Sequence, residues 1–322
     1  MPEQKSKNRK EKSPTNLRNS ILLSVIAGLA VFAALSIYAD IDEVIQAFAQ
    51  FQWGYIPLIL ALTFLNYLLR FFKWDIYLRN LGIRLKFKDS LLVFLSGLSM
   101  SITPAKVGEV FKSYLLKRLN NTEVSRSVPV VFAERVTDVF GLLILAAISF
   151  SVFEYGGEVL IITLAFLLAL IISIQSTRIR NKLLAICRHI PLINKLSDNL
   201  RTGFETAYVL FKPRNLAVAT VISVISWGFE CLATYFTLQA FGVNASVLLS
   251  TFVFSFSSLV GAVSMIPGGL IVAEGSFAGL LILDGIAKGT AASATMIIRF
   301  CTLWFGVIVG LISTFMLRKK IA

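Results

Sequence analysis

Apolar runs close to 20 residues long recur along the chain, separated by short polar stretches. Ser20–Tyr38, Trp53–Leu69, Val128–Phe153, Val159–Ile174, Asn215–Ala240 and Thr290–Leu317 each have the length and apolarity to cross a bilayer core as a helix. Two further apolar stretches are interrupted. Ser90–Met100 and Val110–Leu119 flank Ser101-Ile-Thr-Pro104-Ala-Lys106-Val-Gly108-Glu109, and neither arm is long enough to cross. Val247–Ile266 and Leu270–Ile286 flank Pro267-Gly268-Gly269 in the same manner. A broken backbone at membrane depth is tolerated only inside protein or beside water, so both stretches read as re-entrant hairpins. The fold class is therefore an all-α polytopic membrane protein with six full spans and two hairpins, or about eight hydrophobic segments by hydropathy.

Between the fourth and fifth spans, residues 178–212 are amphipathic. Leu192, Leu196, Leu200, Phe204 and Tyr208 recur every fourth position, with Lys195, Asp198, Arg201 and Glu205 between them. This pattern predicts a helix lying on the inner membrane face. Residues 1–19 are polar and basic and read as a disordered tail; 20–317 form the transmembrane domain, and 318–322 a short basic end. The first span lacks a clear small-residue cleavage site and is read as a retained helix rather than a signal peptide.

Charge placement orients the chain. Of 31 Lys and Arg, 27 fall in the stretches 1–19, 70–88, 112–126, 178–214 and 318–320, whereas the connections 39–52, 154–158 and 241–247 carry none. Positive loops stay in the cytoplasm, so both termini are expected there, in a cell membrane. The net charge of +13 is thus a topology signal with an attraction to anionic headgroups, not a nucleic-acid footprint. Cys187, Cys231 and Cys301 lie in separate segments and read as apolar filler. His189, beside Arg188, reads as solvated. No metal, cofactor, nucleotide-loop or Ser/His/Asp constellation is present, and nothing in the sequence fixes the oligomeric state.

The two halves resemble each other. Leu78-Arg-Asn-Leu-Gly82-Ile83 matches Leu238-Gln-Ala-Phe-Gly242-Val243, and Ser101-Ile-Thr-Pro104 matches Ser264-Met-Ile-Pro267. An acid follows each proline, Glu109 and Glu274, and a span with an arginine follows each acid: Arg135 lies 31 residues beyond Pro104 and Arg299 lies 32 beyond Pro267. The charge-derived topology runs the half-repeats, about 53–153 and 215–317, in opposite directions. Inverted repeats with paired broken helices are a transporter architecture whose substrate site lies near the midplane.

Ionisable groups inside spans are costly and usually face partners or a cavity. Here they are Lys106, Glu109, Glu134, Arg135, Asp138, Glu230, Glu274 and Arg299. Glu134 and Asp138 share a helix face, and Arg135 reaches Asp138 three residues on; an internal ion-pair network and a ligand site both fit this group. Lys106, Arg135 and Arg299 lie near helix starts that attract anions, so a lipid phosphate is the natural partner. Gly108, Gly268, Gly269 and Gly275 either let backbone approach a ligand or serve as hairpin tips packed among helices.

Several of these motifs resemble the transmembrane domain family of lysylphosphatidylglycerol synthases. They are Arg70-Phe-Phe-Lys-Trp74 with Gly82, Thr103-Pro-Ala-Lys-Val-Gly-Glu109-Val-Phe-Lys112, Glu134-Arg135-Val-Thr-Asp138, Pro267-Gly-Gly-Leu-Ile-Val-Ala-Glu274-Gly275-Ser, and Arg299. The resemblance runs over roughly residues 17–317. It implies a flippase-like domain that moves a phosphate-bearing lipid, aminoacylated or polyprenyl-linked among the options, between leaflets. The full synthases carry a separate soluble aminoacyl-transferase domain that has no counterpart here, so the resemblance implies a transporter rather than an enzyme. A membrane-embedded enzyme using Glu109 and Glu134 on a lipid headgroup, and a scaffold for a separate transferase, are the alternative expectations.

Overall fold

A computed structural model describes residues 14–103, 108–150, 157–176, 178 and 197–321. Pro104 and Lys106, the basic tail at 1–13, Cys187, His189 and positions 179–196 of the amphipathic segment lie outside the described residues. Every regular element among the described residues is helical. Helices α1 (Pro14–Tyr38), α2 (Ile41–Gln50) and α3 (Ile56–Asn80) open the chain. The first interrupted stretch follows as α4 (Phe87–Leu98) and α5 (Phe111–Asn120), then α6 (Val124–Ile148), α7 (Gly157–Gln175) and α8 (Ser197–Leu210). The second half comprises α9 (Pro213–Ala240), α10 (Val247–Val263), α11 (Val272–Leu283), α12 (Lys288–Arg299) and α13 (Phe305–Ile321).

Among the described residues, four helical stretches are long and apolar enough to cross a membrane: Trp53–Asn80, Gly157–Gln175, Pro213–Ala240 and Lys288–Arg318. Their outward faces are greasy. Ile161, Ile162, Phe166 and Ile172 stand exposed on α7, as do Ile312, Phe315 and Met316 on α13. In water such faces would demand burial; in a bilayer they meet acyl chains, which makes this a multi-pass membrane protein. Helix α6 is as long as α3 but contains Glu134, Arg135 and Asp138. Its charged face is turned inward, where Glu134 and Asp138 are buried.

Two turns are built alike. In both, a helix ends on a glycine in the left-handed region, Gly82 at φ 70° and Gly242 at φ 72°. Ile83 N donates to Leu78 O at 2.9 Å and Gly82 N to Arg79 O at 2.9 Å; Val243 N donates to Leu238 O at 3.0 Å and Gly242 N to Gln239 O at 2.9 Å. This is the Schellman closure, which satisfies the last carbonyls of a helix and reverses the chain. It places α4 after α3, and α10 after α9, with the same local geometry. Helices α3 and α9 then pack against each other along their length, and α6 packs on both α9 and α10. Arg135 and Arg299 are each the twelfth residue of their helices, α6 and α12.

Both interrupted stretches are broken, the first between α4 and α5 with Gly108 in the gap, the second at Pro267-Gly268-Gly269. Around the second break, Met265, Gly268, Gly269 and Ile271 all have positive φ, from 55° to 71°. Gly261 of α10 makes this bend possible. A Cβ there would stand 2.9 Å from Ala273 Cβ, so only hydrogen lets the returning chain close on α10.

Two sequence expectations are corrected. The stretch 70–88 does not begin a cytoplasmic segment: α3 continues to Asn80, since nothing breaks a helix before Gly82, and Arg70 and Lys73 are buried. Lys112 is likewise interior rather than part of a cytoplasmic cluster, being 1% exposed. In each case an interior carboxylate neutralises the cation. The connection 39–52 also contains α2, an amphipathic helix that buries Val44 and Ala47 and whose Glu43 Oε2 accepts from Gly289 N at the start of α12.

Candidate functional site

The polar face of α3 repeats at helical spacing through Thr63, Asn66, Arg70 and Lys73, all buried. It meets the inward face of α6. Lys73 Nζ donates to Asp138 Oδ1 at 2.5 Å, to Ser223 Oγ at 2.7 Å and to Thr137 Oγ1 at 3.2 Å, with Glu134 O a fourth acceptor at 3.4 Å, so none of its three protons lacks a partner. Lys112, arriving on α5, sets Nζ 2.6 Å from Glu134 Oε2 and 3.6 Å from Glu109 Oε2, with the Trp74 ring 4.7 Å away. Gly97 makes room for it: a Cβ there would meet the Lys112 stem at 2.6 Å.

Two arginines are held less completely. Arg135 lies 3.1 Å from Asp138 Oδ2 and 3.4 Å from Glu109 Oε2, yet these contacts are out of line for hydrogen bonds. Its Nε and a terminal nitrogen are buried without a hydrogen-bond acceptor. Arg70 touches Asp138 Oδ2 only at 3.5 Å, rests over the Trp227 ring at 5.2 Å, and leaves Nε without an acceptor. A guanidinium holds five donors in a fixed fork, and leaving them unmade in a dry interior is expensive. Both therefore have capacity for a further acceptor.

The second half contributes its own pair. Arg299 donates from Nε to Glu274 Oε1 at 2.6 Å and from a terminal nitrogen to Gly268 O at 2.7 Å, so it ties α12 to the second break. Immediately after it the helix widens into a π-turn at Phe300–Trp304, and Thr302 O accepts from Tyr67 Oη at 2.6 Å. Such turns are frequent at functional sites.

Between the halves lies a cavity of about 250 Å³. Arg70, Arg135 and Asp138 line one side; Glu230, Arg299 and the Gly268-Gly269 backbone line the other. Apolar side chains complete the wall, among them Leu98, Trp227, Phe254 and Leu303. The volume is at the small end of ligand pockets, suited to a headgroup rather than to acyl chains.

Of the residues singled out in the sequence, Arg135, Asp138, Arg299, Gly268 and Gly269 line this cavity. Glu109, Glu134 and Glu274 are buried behind its wall, each paired with a cation. Gly108 instead donates its N–H to Thr103 Oγ1 at 2.8 Å, which shapes the first break, while Pro267 begins the tight turn of the second and Gly275 sits within α11. Arg70, Lys73 and Lys112 do not stand out as site residues in the sequence, where each reads as one more cytoplasmic positive charge. The signal was available, since Arg70 and Lys73 continue the polar stripe of Thr63 and Asn66.

The transmembrane part of lysylphosphatidylglycerol synthases matches residues 25–310. A UPF0104 membrane protein of Methanothermobacter thermautotrophicus is 26% identical over 304 residues, covering 88% of this chain and 90% of the relative. One from Pyrococcus horikoshii is 25% identical over 92% of this chain and 97% of its own length. Another, from Methanocaldococcus jannaschii, is 29% identical over 69% of this chain and 94% of its own.

Proposed function

We propose that this chain, which belongs to the lysylphosphatidylglycerol synthase transmembrane region family, moves a phosphate-bearing lipid between the leaflets of its membrane. One observation carries the reading: three guanidinium groups from both halves of the chain, Arg70, Arg135 and Arg299, line a single cavity, and two of them have buried donors without acceptors. A phosphodiester supplies an anion with two free oxygens, which matches guanidinium forks. The apolar remainder of the wall suits the adjoining glycerol and chain ends, while the tails stay in lipid.

The repeated Schellman turns, the paired breaks and the matching positions of Arg135 and Arg299 support two inverted half-repeats, about 53–153 and 215–317. On this reading the chain has six spans and two re-entrant hairpins, lies in the cell membrane, and keeps both termini in the cytoplasm. Rocking of one half against the other would expose the cavity to each side in turn. Glu109 and Glu134, the acid/base candidates of an embedded enzyme, share the Lys112 ammonium and stand behind the wall, which favours transport over headgroup chemistry.

The test is reconstitution into liposomes containing fluorescent phosphatidylglycerol, with transbilayer movement followed by surface quenching. Wild-type protein should accelerate movement, and Arg135→Gln and Arg299→Gln should each reduce the rate at least tenfold while purifying as folded protein. Equal rates in all three would overturn the proposal.

A further inference from the structure

Glu230 is the one carboxylate on the cavity that has no ion pair among the described residues. It sits on α9, 2% exposed, and its Oε2 accepts a hydrogen bond from Thr63 Oγ1 at 3.0 Å. The other four interior carboxylates are each within 4 Å of a Lys or Arg nitrogen: Glu109 and Glu134 with Lys112, Asp138 with Lys73, Glu274 with Arg299. The cations among these interior groups are Arg70, Lys73, Lys112, Arg135 and Arg299. Four paired carboxylates leave one positive charge in excess among the described residues, and among them Glu230 is the carboxylate left to cancel it.

We propose that Glu230 is a proton-binding site that sets the net charge of the cavity, so that an anionic lipid headgroup enters together with a proton. The inference rests on the headgroup reading above and assigns it a coupling ion. With Glu230 ionised the ten described groups balance, and a headgroup phosphate would add a negative charge that none of them is left to compensate in a low-dielectric interior, a costly arrangement. With Glu230 protonated the ten groups together carry one net positive charge, and a phosphodiester neutralises it. The proton comes from water on the side to which the cavity opens and leaves on the opposite side when the lipid departs.

The surroundings suit a proton better than a cationic headgroup. An ammonium needs several acceptors around it, whereas Glu230 is nearly sealed and already committed to Thr63. Helix α3 presents Thr63, Tyr67 and Arg70; α6 presents Arg135 and Asp138; α12 and the π-turn present Arg299 and Cys301; α9 itself adds Cys231. Helix α10 contributes no ionisable side chain. Arg70 is the cation whose field reaches Glu230, and it is one of the two arginines left with unmade donors. Headgroup and carboxylate would therefore compete for the same guanidinium, which is the physical basis of the coupling.

The experiment measures binding of dihexanoyl phosphatidylglycerol, whose phosphodiester keeps its charge across the range, to detergent-purified protein from pH 5.5 to 8.5. Trp227, in the cavity wall, supplies a fluorescence readout, and proton uptake on binding is followed in weak buffer. Affinity should fall by up to about tenfold per pH unit above the titration of the free site, with uptake approaching one proton per lipid there. Glu230→Gln should bind tightly at every pH and take up no proton. Wild-type binding with no proton uptake at any pH overturns this inference, and needs no variant to do so. Equal pH slopes in wild type and Glu230→Gln overturn it as well. Absence of wild-type binding at all pH values instead overturns the headgroup reading on which it rests.

Discussion

Lys112 shows how the interior charges hold one another. Its ammonium reaches Glu134, which is fully buried, and lies near Glu109 as well. Removing one partner of a buried pair leaves the other uncompensated, so Lys112→Met should destabilise the protein by about 3–5 kcal/mol. The double variant Lys112→Met/Glu134→Gln should recover at least half of that loss, because the stranded carboxylate is gone. Thermal unfolding in detergent, run as a double-mutant cycle, measures both. The Arg201–Glu205 pair gives the contrast: its side chains are 65% and 59% exposed, and Arg201→Ala should change stability by less than about 0.5 kcal/mol. At this scale the sequence was half legible. Glu134, Arg135, Asp138, Glu274 and Arg299 stood out because they interrupt apolar runs. Arg70, Lys73 and Lys112 did not, because charge at the edge of an apolar run looks the same whether the next helical turn is wet or buried.

The helices themselves were largely readable, since an apolar run of spanning length leaves few alternatives. Their ends were less so. A basic residue does not end a helix; a left-handed glycine does, and α3 runs on until Gly82. The amphipathic α2 was overlooked because ten residues with acidic character resemble a loop when only loop charge is being counted. The second break fell at Pro267, Gly268 and Gly269, with the strained Ile271 at φ 71° as an addition no pattern announces. The Schellman turns give a clean prediction. No atom lies within 4 Å of a Cβ added at Gly242, so Gly242→Ala probes backbone conformation alone and should cost about 1–2 kcal/mol. Gly228→Ala, equally open but inside α9, should instead gain up to about 1 kcal/mol. Thermal unfolding of the two variants side by side checks the opposite signs.

For the whole molecule, the meeting of the two halves was anticipated only as an alignment of motifs. Sequence spacing gives no depth or azimuth, so it could not say that Arg70 and Arg135 face Arg299 across one space while Glu109, Glu134 and Glu274 stand behind. That division follows from how α6 packs against both α9 and α10. The proposed orientation has its own consequence: in a Cys187→Ser background, single cysteines replacing Lys7 and Lys320 should both be labelled by a membrane-impermeant maleimide only from the cytoplasmic side. Labelling of either from outside would contradict the proposed orientation. The cavity claim is tested most directly by native mass spectrometry of the protein released from its own membrane. Wild-type protein should release with one phosphate-bearing lipid per chain, and both Arg135→Gln and Arg299→Gln should lose it. Equal retention in the two variants, or a bound lipid without phosphate, would contradict the cavity claim.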